Sequence, residues 1–466
     1  MRELPQWEFD CYALSLPRGH SFGDQPPITA WASADGLSCG AITLNANNGS
    51  FGFIVMRKRI DSTWTVVKED YNLSSKSKAQ EAMELALKEG NSPEPLSPGI
   101  PERPTLFSID GRMPSDVFKL LARPSHLPAA WALNQLYLAL PRPDRNWASD
   151  CQTTNFHARL WEAILIGCFR EQGLHATQPF ESPDFRIENR LGGEAWVEAV
   201  TSNPAIPYNH VNSLAEAMPT AKEDIFFGRA ALRFAKTIGN KLGRSYHQLP
   251  HVAGKPFIIA IADFQAPASM IWSREGLIGY LYGKGARVIE IDGKSHAIPF
   301  TATHLLGPSA FPAGLFSDNR HAELSAIIFS NACSIAKLNR VPISAGGAPK
   351  GFRYTRIGNF FDRTPGALKG VPFCLDVTSE KYRALWPHGY EPWSAELEVF
   401  HNPFAQHPVS FDLLPEATHW FDQGGEIHCR SIYETSILWS QTLVQGKDQP
   451  PPTLKDFVPM ENVGEA

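Results

Sequence analysis

The sequence predicts an α/β (α+β) protein in which a mixed sheet is flanked by helices and preceded by a small N-terminal β-rich domain. Three observations predict it. Residues 30–73 alternate apolar and polar side chains around Gly- and Asn-rich turns, the pattern of a half-buried antiparallel meander. Residues 156–263 run in the order helix, strand, strand, helix, strand. KPFIIAIADF contains an unbroken apolar run, as a strand covered on both faces requires. At 466 residues the chain exceeds what a single core holds, so two or more cores are expected.

Each element has a local reason. AWASADGLSCGAITLNANNGSFGFIVMRKRI and STWTVVKEDY give three strands, and SSKSKAQEAMELALKEG gives a helix with Ser at its N-cap and Gly90 to stop it, so residues 1–90 form one module. NSPEPLSPGIPERP has five prolines in fourteen residues and holds neither helix nor central strand. It opens a linker and helical connector, 91–149, that includes PAAWALNQLYLAL. An α/β domain at 150–345 then starts with the helix FHARLWEAILIGCFREQG, closed by Gly173. HATQPFESPDF and EAWVEAVT are strands, and IFFGRAALRFAKTIGNKLGRSYHQL is a long basic helix. ARVIEIDGKSHAIPF is a hairpin turning at Asp292 and Gly293, and AELSAIIFSNACSIAKLNR is a helix or a helix-strand pair. Residues 346–446 read as loop-rich and 447–466 as a loose tail.

Composition narrows the function classes. A formal net charge of -5 means that any surface for a polyanion must be a local basic patch. The seven cysteines are scattered and never form CxxC, which argues for a reducing compartment and against a disulfide framework or a structural zinc. No signal-type or membrane-length apolar run occurs, so the expected location is cytoplasmic, with no membrane partner. GLSCG at 36–40 lacks the strand-turn-helix frame of a nucleophile elbow, and DGKS has Val288 where a phosphate-binding loop needs Gly. His401, His407, His419 and His428 lack the spacing of a helical metal pair.

One constellation survives. In ESPDFRIENRLGGEAWVEAVT, Asp184 and Glu198 lie fourteen residues apart with LGG between them as a hairpin turn, so both carboxylates fall on adjacent strands. Trp196, Glu198 and Val200 share one strand face, and Glu162 is another acid in a mostly apolar stretch. Such acids suit a hard cation, because Mg²⁺ takes oxygen ligands and is held by one or two carboxylates plus substrate oxygens.

A helix bearing Glu162, a strand ending in Pro183-Asp184, a hairpin, a strand with central Glu198, then a helix and a strand resemble the PD-(D/E)xK restriction-endonuclease-like nuclease superfamily over residues 150–265. WVEAVTSNP and AELSAIIFSNACSIAKLNR also resemble a bacterial protein family that implies no activity by itself. The superfamily resemblance implies that Asp184 and Glu198 ligate Mg²⁺ (or Mn²⁺) and that Glu162 assists. The departure is Val200, which stands where the motif has its Lys. The basic helix offers a substitute: Arg229, Arg233 and Lys236 share a face, with Lys236 as the replacement cation and Arg229, Arg233, Lys241 and Arg244 as nucleic-acid contacts. Arg57, Lys58, Arg59, Lys68, Lys76 and Lys78 of the N-terminal module are further candidate contacts. The function so implied is a Mg²⁺-dependent endonuclease cleaving the phosphodiester bonds of DNA, in bacterial defence or DNA processing. The alternative is a catalytically inactive nuclease-fold module that binds nucleic acid or protein. A homodimer or a partner protein is left open by the sequence.

Overall fold

The structure, a computed structural model, describes residues 1–16, 25–90, 92–204, 219, 221–292, 294–307, 311–364, 367 and 370–456. The N-terminal module is an antiparallel sheet of five strands in sequential order: β1 (Arg2–Leu4), β2 (Pro27–Ala32), β3 (Ser38–Leu44), β4 (Phe51–Lys58) and β5 (Trp64–Leu73). Helix α1 (Gln6–Ala13) covers one face through Phe9 and Ala13, and α2 (Lys76–Lys88) covers the other through Ala79 and Met83. Ser75 caps α2 by accepting from Lys78 N–H. The module thus has two strands and a helix beyond the expected three and one. The short first strand and α1 escape a periodicity reading because neither spans two full apolar repeats.

The Pro-rich segment is strapped down at both ends. Glu94 bridges to Arg59 by backbone pairing and receives Arg57 Nη1 at 3.0 Å, while Arg103 donates to the carbonyls of Tyr137, Leu138 and Leu140 at 2.7 to 2.8 Å. Those carbonyls belong to the end of α4 (Leu127–Ala139), which follows a single turn, α3 (Asp116–Lys119).

The rest of the chain is organised by one eight-stranded mixed sheet. α5 (Trp147–Gln152) and α6 (Phe156–Glu171) lead into β6 (His175–Thr177), β7 (Phe185–Glu188) and β8 (Glu194–Ser202). Next come α7 (Lys222–Phe227), α8 (Arg229–Leu242), β9 (Phe257–Asp263), α9 (Arg274–Tyr282) and the two-stranded ribbon β10 (Lys284–Ile291) and β11 (Lys294–Thr301), whose turn residue Gly293 lies outside the described residues. β12 (Ala326–Ser330) and α10 (Ile335–Ser344) follow, so that segment is a strand and then a helix.

Residues 346–446 are not the loop-rich region the sequence suggests. They form β13 (Phe352–Phe360), β14 (Val371–Asp376), α11 (Glu380–Arg383), β15 (Glu398–His401), β16 (Thr418–Gln423), β17 (Glu426–Arg430) and β18 (Ile437–Gly446). β14, β13 and β18 make a three-stranded antiparallel sheet, and β15 to β17 extend the central sheet past the boundary placed at 345. The tail is tied down at Gln449, whose carbonyl accepts from Arg353 at 2.8 Å, and at Pro452, whose carbonyl accepts from Cys374 Sγ at 3.4 Å, and residues 457–466 lie outside the described residues.

The central order is β17-β16-β15-β12-β9-β8-β7-β6, with β8, β9 and β12 mutually parallel and β6, β7 and β8 an antiparallel meander. All seven residues of β9 are buried, Ile258 and Ala260 on the face covered by α4, α6 and α10, Ile259 and Ile261 on the face covered by α7, α8 and α9. Gly279 lets α9 lie against α7, since a Cβ there would fall 2.0 Å from Phe226 O. All seven cysteines are free, and no helix among the described residues is long and apolar enough to cross a membrane.

Candidate acidic centre at the β7-β8 hairpin

The hairpin that carries the two acids is fixed locally. Asn189 Oδ1 accepts from the N–H groups of Leu191 and Gly193 at 3.0 and 2.8 Å, and Gly192 sits at φ 83°, a left-handed conformation that glycine adopts without a Cβ clash. The register pairs Phe185 with Val197 and Ile187 with Ala195. One step further sets Asp184, just ahead of β7, opposite Glu198. Directly opposed positions share a face with Cβ atoms about 5 Å apart, so the pairing puts two carboxylates together, an arrangement that repels when both are charged. Asp184 is anchored by Ala199 N–H, which donates to Oδ2 at 2.7 Å.

Electrostatics follows from that geometry. Asp184 keeps part of its surface open, yet its dense surroundings, then Glu198, then Glu162 raise its pKa well above the usual carboxylate range. Glu198 is 4% exposed and points to the α8 side of the sheet. Its Oε1 receives Lys241 Nζ at 2.5 Å and the Tyr246 hydroxyl at 2.8 Å. Its Oε2 is buried and has no partner. Tyr246 in turn accepts from Arg244 Nη1 at 3.1 Å, and burial together with the Glu198 contact pushes its hydroxyl up to about 12. It therefore remains a donor at neutral pH.

The sequence-derived residues fall as follows. Asp184 and Glu198 are brought together. Glu162 is near enough to raise Asp184, but its own oxygens are taken by Trp147 Nε1 at 2.7 Å and Arg159 Nη1 at 3.0 Å, and burial raises it too. Lys236 is exposed on the outer face of α8, and the ammonium at Glu198 is that of Lys241, the residue expected to contact nucleic acid. The reason is helical: Lys241 lies three residues beyond the buried Ile238, on the rim of the packed face, whereas Lys236 lies on the opposite side. Arg229 is exposed with its guanidinium 5.3 Å from the Trp272 ring, Arg233 is half-buried, and Arg244 is exposed at the end of the helix. Val200 packs into the apolar cluster on the α8 side, so the strand itself supplies no cation. In the N-terminal module, Arg57 is buried against Ser38, Glu94 and Glu89 O, Lys58 lies over Trp64, and Lys68 pairs with Glu89. These cations are committed locally.

Sequence reading passed over Tyr246 and Asp263. Asp263 ends β9 wholly buried, opposite Ser202 of β8 and so on the face that bears Glu198. Burial raises its pKa against the neighbouring Ser273, Ser269 and Gln265, and its Oδ2 and the hydroxyls of Ser202, Ser269 and Ser273 lack close partners. A carboxylate closing the apolar run FIIAIAD was the available signal.

Among the described residues no set of three or more His, Cys, Asp and Glu side chains converges on one metal position. A divalent cation here would rest on Asp184 and Glu198, with water or substrate oxygens as the remaining ligands, and the bare, buried Glu198 Oε2 fits that use. Comparison with protein-family models, with curated proteins and with solved structures gave no match, so the residues themselves carry the functional reading.

Proposed function

We propose that the β7-β8 centre is the active site of a Mg²⁺-dependent endonuclease on DNA, a PD-(D/E)xK-like site in which Lys241 of α8 takes the part of the Lys that Val200 replaces. The observation that carries this reading is the division of Glu198: Oε1 holds Lys241 and Tyr246 while Oε2 stays bare, with Asp184 opposite Glu198 in the hairpin register. The element order supports it as well, with α6, the β6-β7-β8 meander, α8 and parallel β9 following the layout that the sequence resembles.

Asp184 and Glu198 would hold the cation, which when bound supplies a lowered pKa for water and counter-charge for the phosphate. Ala199 N–H keeps the Asp184 carboxylate turned toward the pair. Tyr246, steadied by Arg244, fixes Glu198 Oε1 and with it the position of the Lys241 ammonium. Lys241 can then donate one of its remaining N–H bonds to an attacking water or to a phosphate oxygen, stabilising the charge that develops there. Arg229 and Arg233, with planar forks, suit phosphate oxygens along the strand.

A second reading has a specific observation behind it, because an ammonium already seated on Glu198 is also how a disused metal site would be neutralised. In that case the chain is a binding module without catalysis. Purified full-length protein with Mg²⁺ and DNA separates the two. Lys241→Ala should lower turnover by about 10² with DNA affinity little changed, the usual cost of one electrostatic or acid-base group. Lys236→Ala should leave turnover within about twofold, as for an exposed side chain away from the reacting atoms. No cleavage by the wild type, together with no Mg²⁺ or Mn²⁺ binding by calorimetry, selects the binding module.

A further inference from the structure

The loop that delivers Asp184 also carries an aromatic outcrop. Phe180 is 51% exposed. It is nonetheless held in place. Its ring lies flat on the His251 imidazole, centroids 3.9 Å apart and planes inclined by 13°. His251 packs on Trp196 at 4.8 Å, Phe180 reaches Trp196 at 6.0 Å, and a ring nitrogen of His251 meets Ser182 O at 2.9 Å. Below Phe180 there is thus a floor of two rings and a backbone contact, and half of its surface is left to solvent.

The place of this floor in the fold connects it to the acidic centre. Trp196 shares a strand face with Glu198 two residues on, a step of about 7 Å. Phe180 is four residues from Asp184, within roughly 14 Å along the chain. Cationic groups meet the same strand face two residues from Trp196: Lys241 on Glu198, and Arg244, exposed and joined to the same carboxylate through Tyr246. A flat apolar face held rigid beside cations matches a nucleobase with its phosphate: the ring offers a π-face and the cations offer counter-charge.

We propose that Phe180 is a stacking platform for an unpaired nucleobase, which makes single-stranded or locally opened nucleic acid the substrate class of this site. The proposal rests on the nuclease reading above and deepens it. An intact duplex cannot use the platform, because each of its base faces is covered by the next base, so only an end, a gap or an extruded nucleotide presents a free face. The platform therefore adds affinity selectively, for strands that are open.

The test uses the full chain and separates binding from cleavage. Fluorescence anisotropy would be read in Ca²⁺, with a labelled thymidine oligonucleotide and a labelled, relaxed, covalently closed duplex minicircle, which has neither end nor loop, as probes. The wild type should prefer the single strand. Phe180→Ala should weaken single-strand binding by about 10-fold, within the range for losing one base-aromatic stack, and leave the duplex unchanged, while Phe180→Trp should retain the preference. An unaltered melting temperature excludes misfolding, which is expected for so exposed a side chain. Equal single-strand and duplex affinity, or a Phe180→Ala loss shared by both probes, overturns the platform. If either result comes with Mg²⁺-dependent cleavage of duplex DNA, the nuclease reading survives and the stacking inference alone is lost. If neither probe binds and nothing is cleaved, the nuclease reading is lost, and the ring is left to a protein partner.

Discussion

Around Glu391, in the C-terminal layer, Arg340 donates to both carboxylate oxygens at 2.9 to 3.3 Å and the Tyr382 hydroxyl closes on Oε2 at 2.5 Å. Arg356 and Lys337 stand 3.6 and 3.7 Å away. Around Glu198, Lys241 and Tyr246 both select Oε1 and leave Oε2 bare, with a second acid opposite. Burial would raise Glu391, but Arg340, Arg356 and Lys337 together hold its pKa below the usual range. At the hairpin no such excess of cations exists, and Asp184 moves the other way. Burial and a cationic neighbour are common to both sites. What separates them is saturation: both Glu391 oxygens have hydrogen-bond partners, whereas Glu198 Oε2 has none.

That contrast breaks first at Glu391. Glu391→Ala should cost about 3 to 5 kcal/mol in urea unfolding, because three cations lose their common partner inside the protein. A loss under about 1 kcal/mol would mean that the nest is solvated and not a fastening.

Glu171 lies between the extremes and sharpens the scale. Its oxygens accept from the N–H groups of Trp393 and Ser394 and from the Ser394 hydroxyl, but burial first and then Glu416 raise it to about 7. The folded chain keeps that proton where the unfolded chain has released it, so this group's contribution to stability falls as pH rises from about 4.5 to about 7. Wild-type minus Glu171→Gln stability should therefore decline by roughly 1 to 3 kcal/mol across the window, and a flat difference would place Glu171 with the saturated acids.

Asp184 should respond with the opposite sign to Glu391. Without divalent metal, Asp184→Asn should stabilise the protein by on the order of 1 kcal/mol, since it removes a like charge while its carboxamide oxygen still accepts from Ala199. If the pair binds a divalent cation, Mg²⁺ should raise the melting temperature of the wild type and leave that of Asp184→Asn unchanged. Destabilisation of the metal-free protein would show that the acid is structural. The smallest effect is expected at Lys236, where Ala should change stability by less than about 0.5 kcal/mol.

How much of this the sequence disclosed depended on how local the cause was. The Asp184 and Glu198 pairing is legible because a short hairpin fixes it, and β9 because an unbroken apolar run has one common use. Lys241 was not: the i, i+4, i+7 rule that groups Arg229, Arg233 and Lys236 selects the solvent face, and a rim position needs the partner strand to be known. The strands after 346 were hidden for two reasons. β15 and β17 have only four and five residues, and β13 buries Arg356 where an apolar residue is expected, which destroys its alternation. A charge neutralised by residues 391 and 396 cannot be recognised before those residues are placed together.

Helix α1 is seated partly by the far end of the chain: the Tyr390 hydroxyl donates to Asp10 Oδ2 at 2.9 Å across 380 residues, and Arg170 reaches Leu16 O. During vectorial synthesis, at roughly 5 to 20 residues per second, Asp10 therefore waits on the order of 20 to 75 s for its partner to be made. Trp7 waits less, on the order of 6 to 25 s, because Trp131, whose ring it meets at 5.4 Å, is made much earlier than Tyr390. A ribosome pause just ahead of residue 390 would therefore lengthen the wait of Asp10 and leave that of Trp7 unchanged.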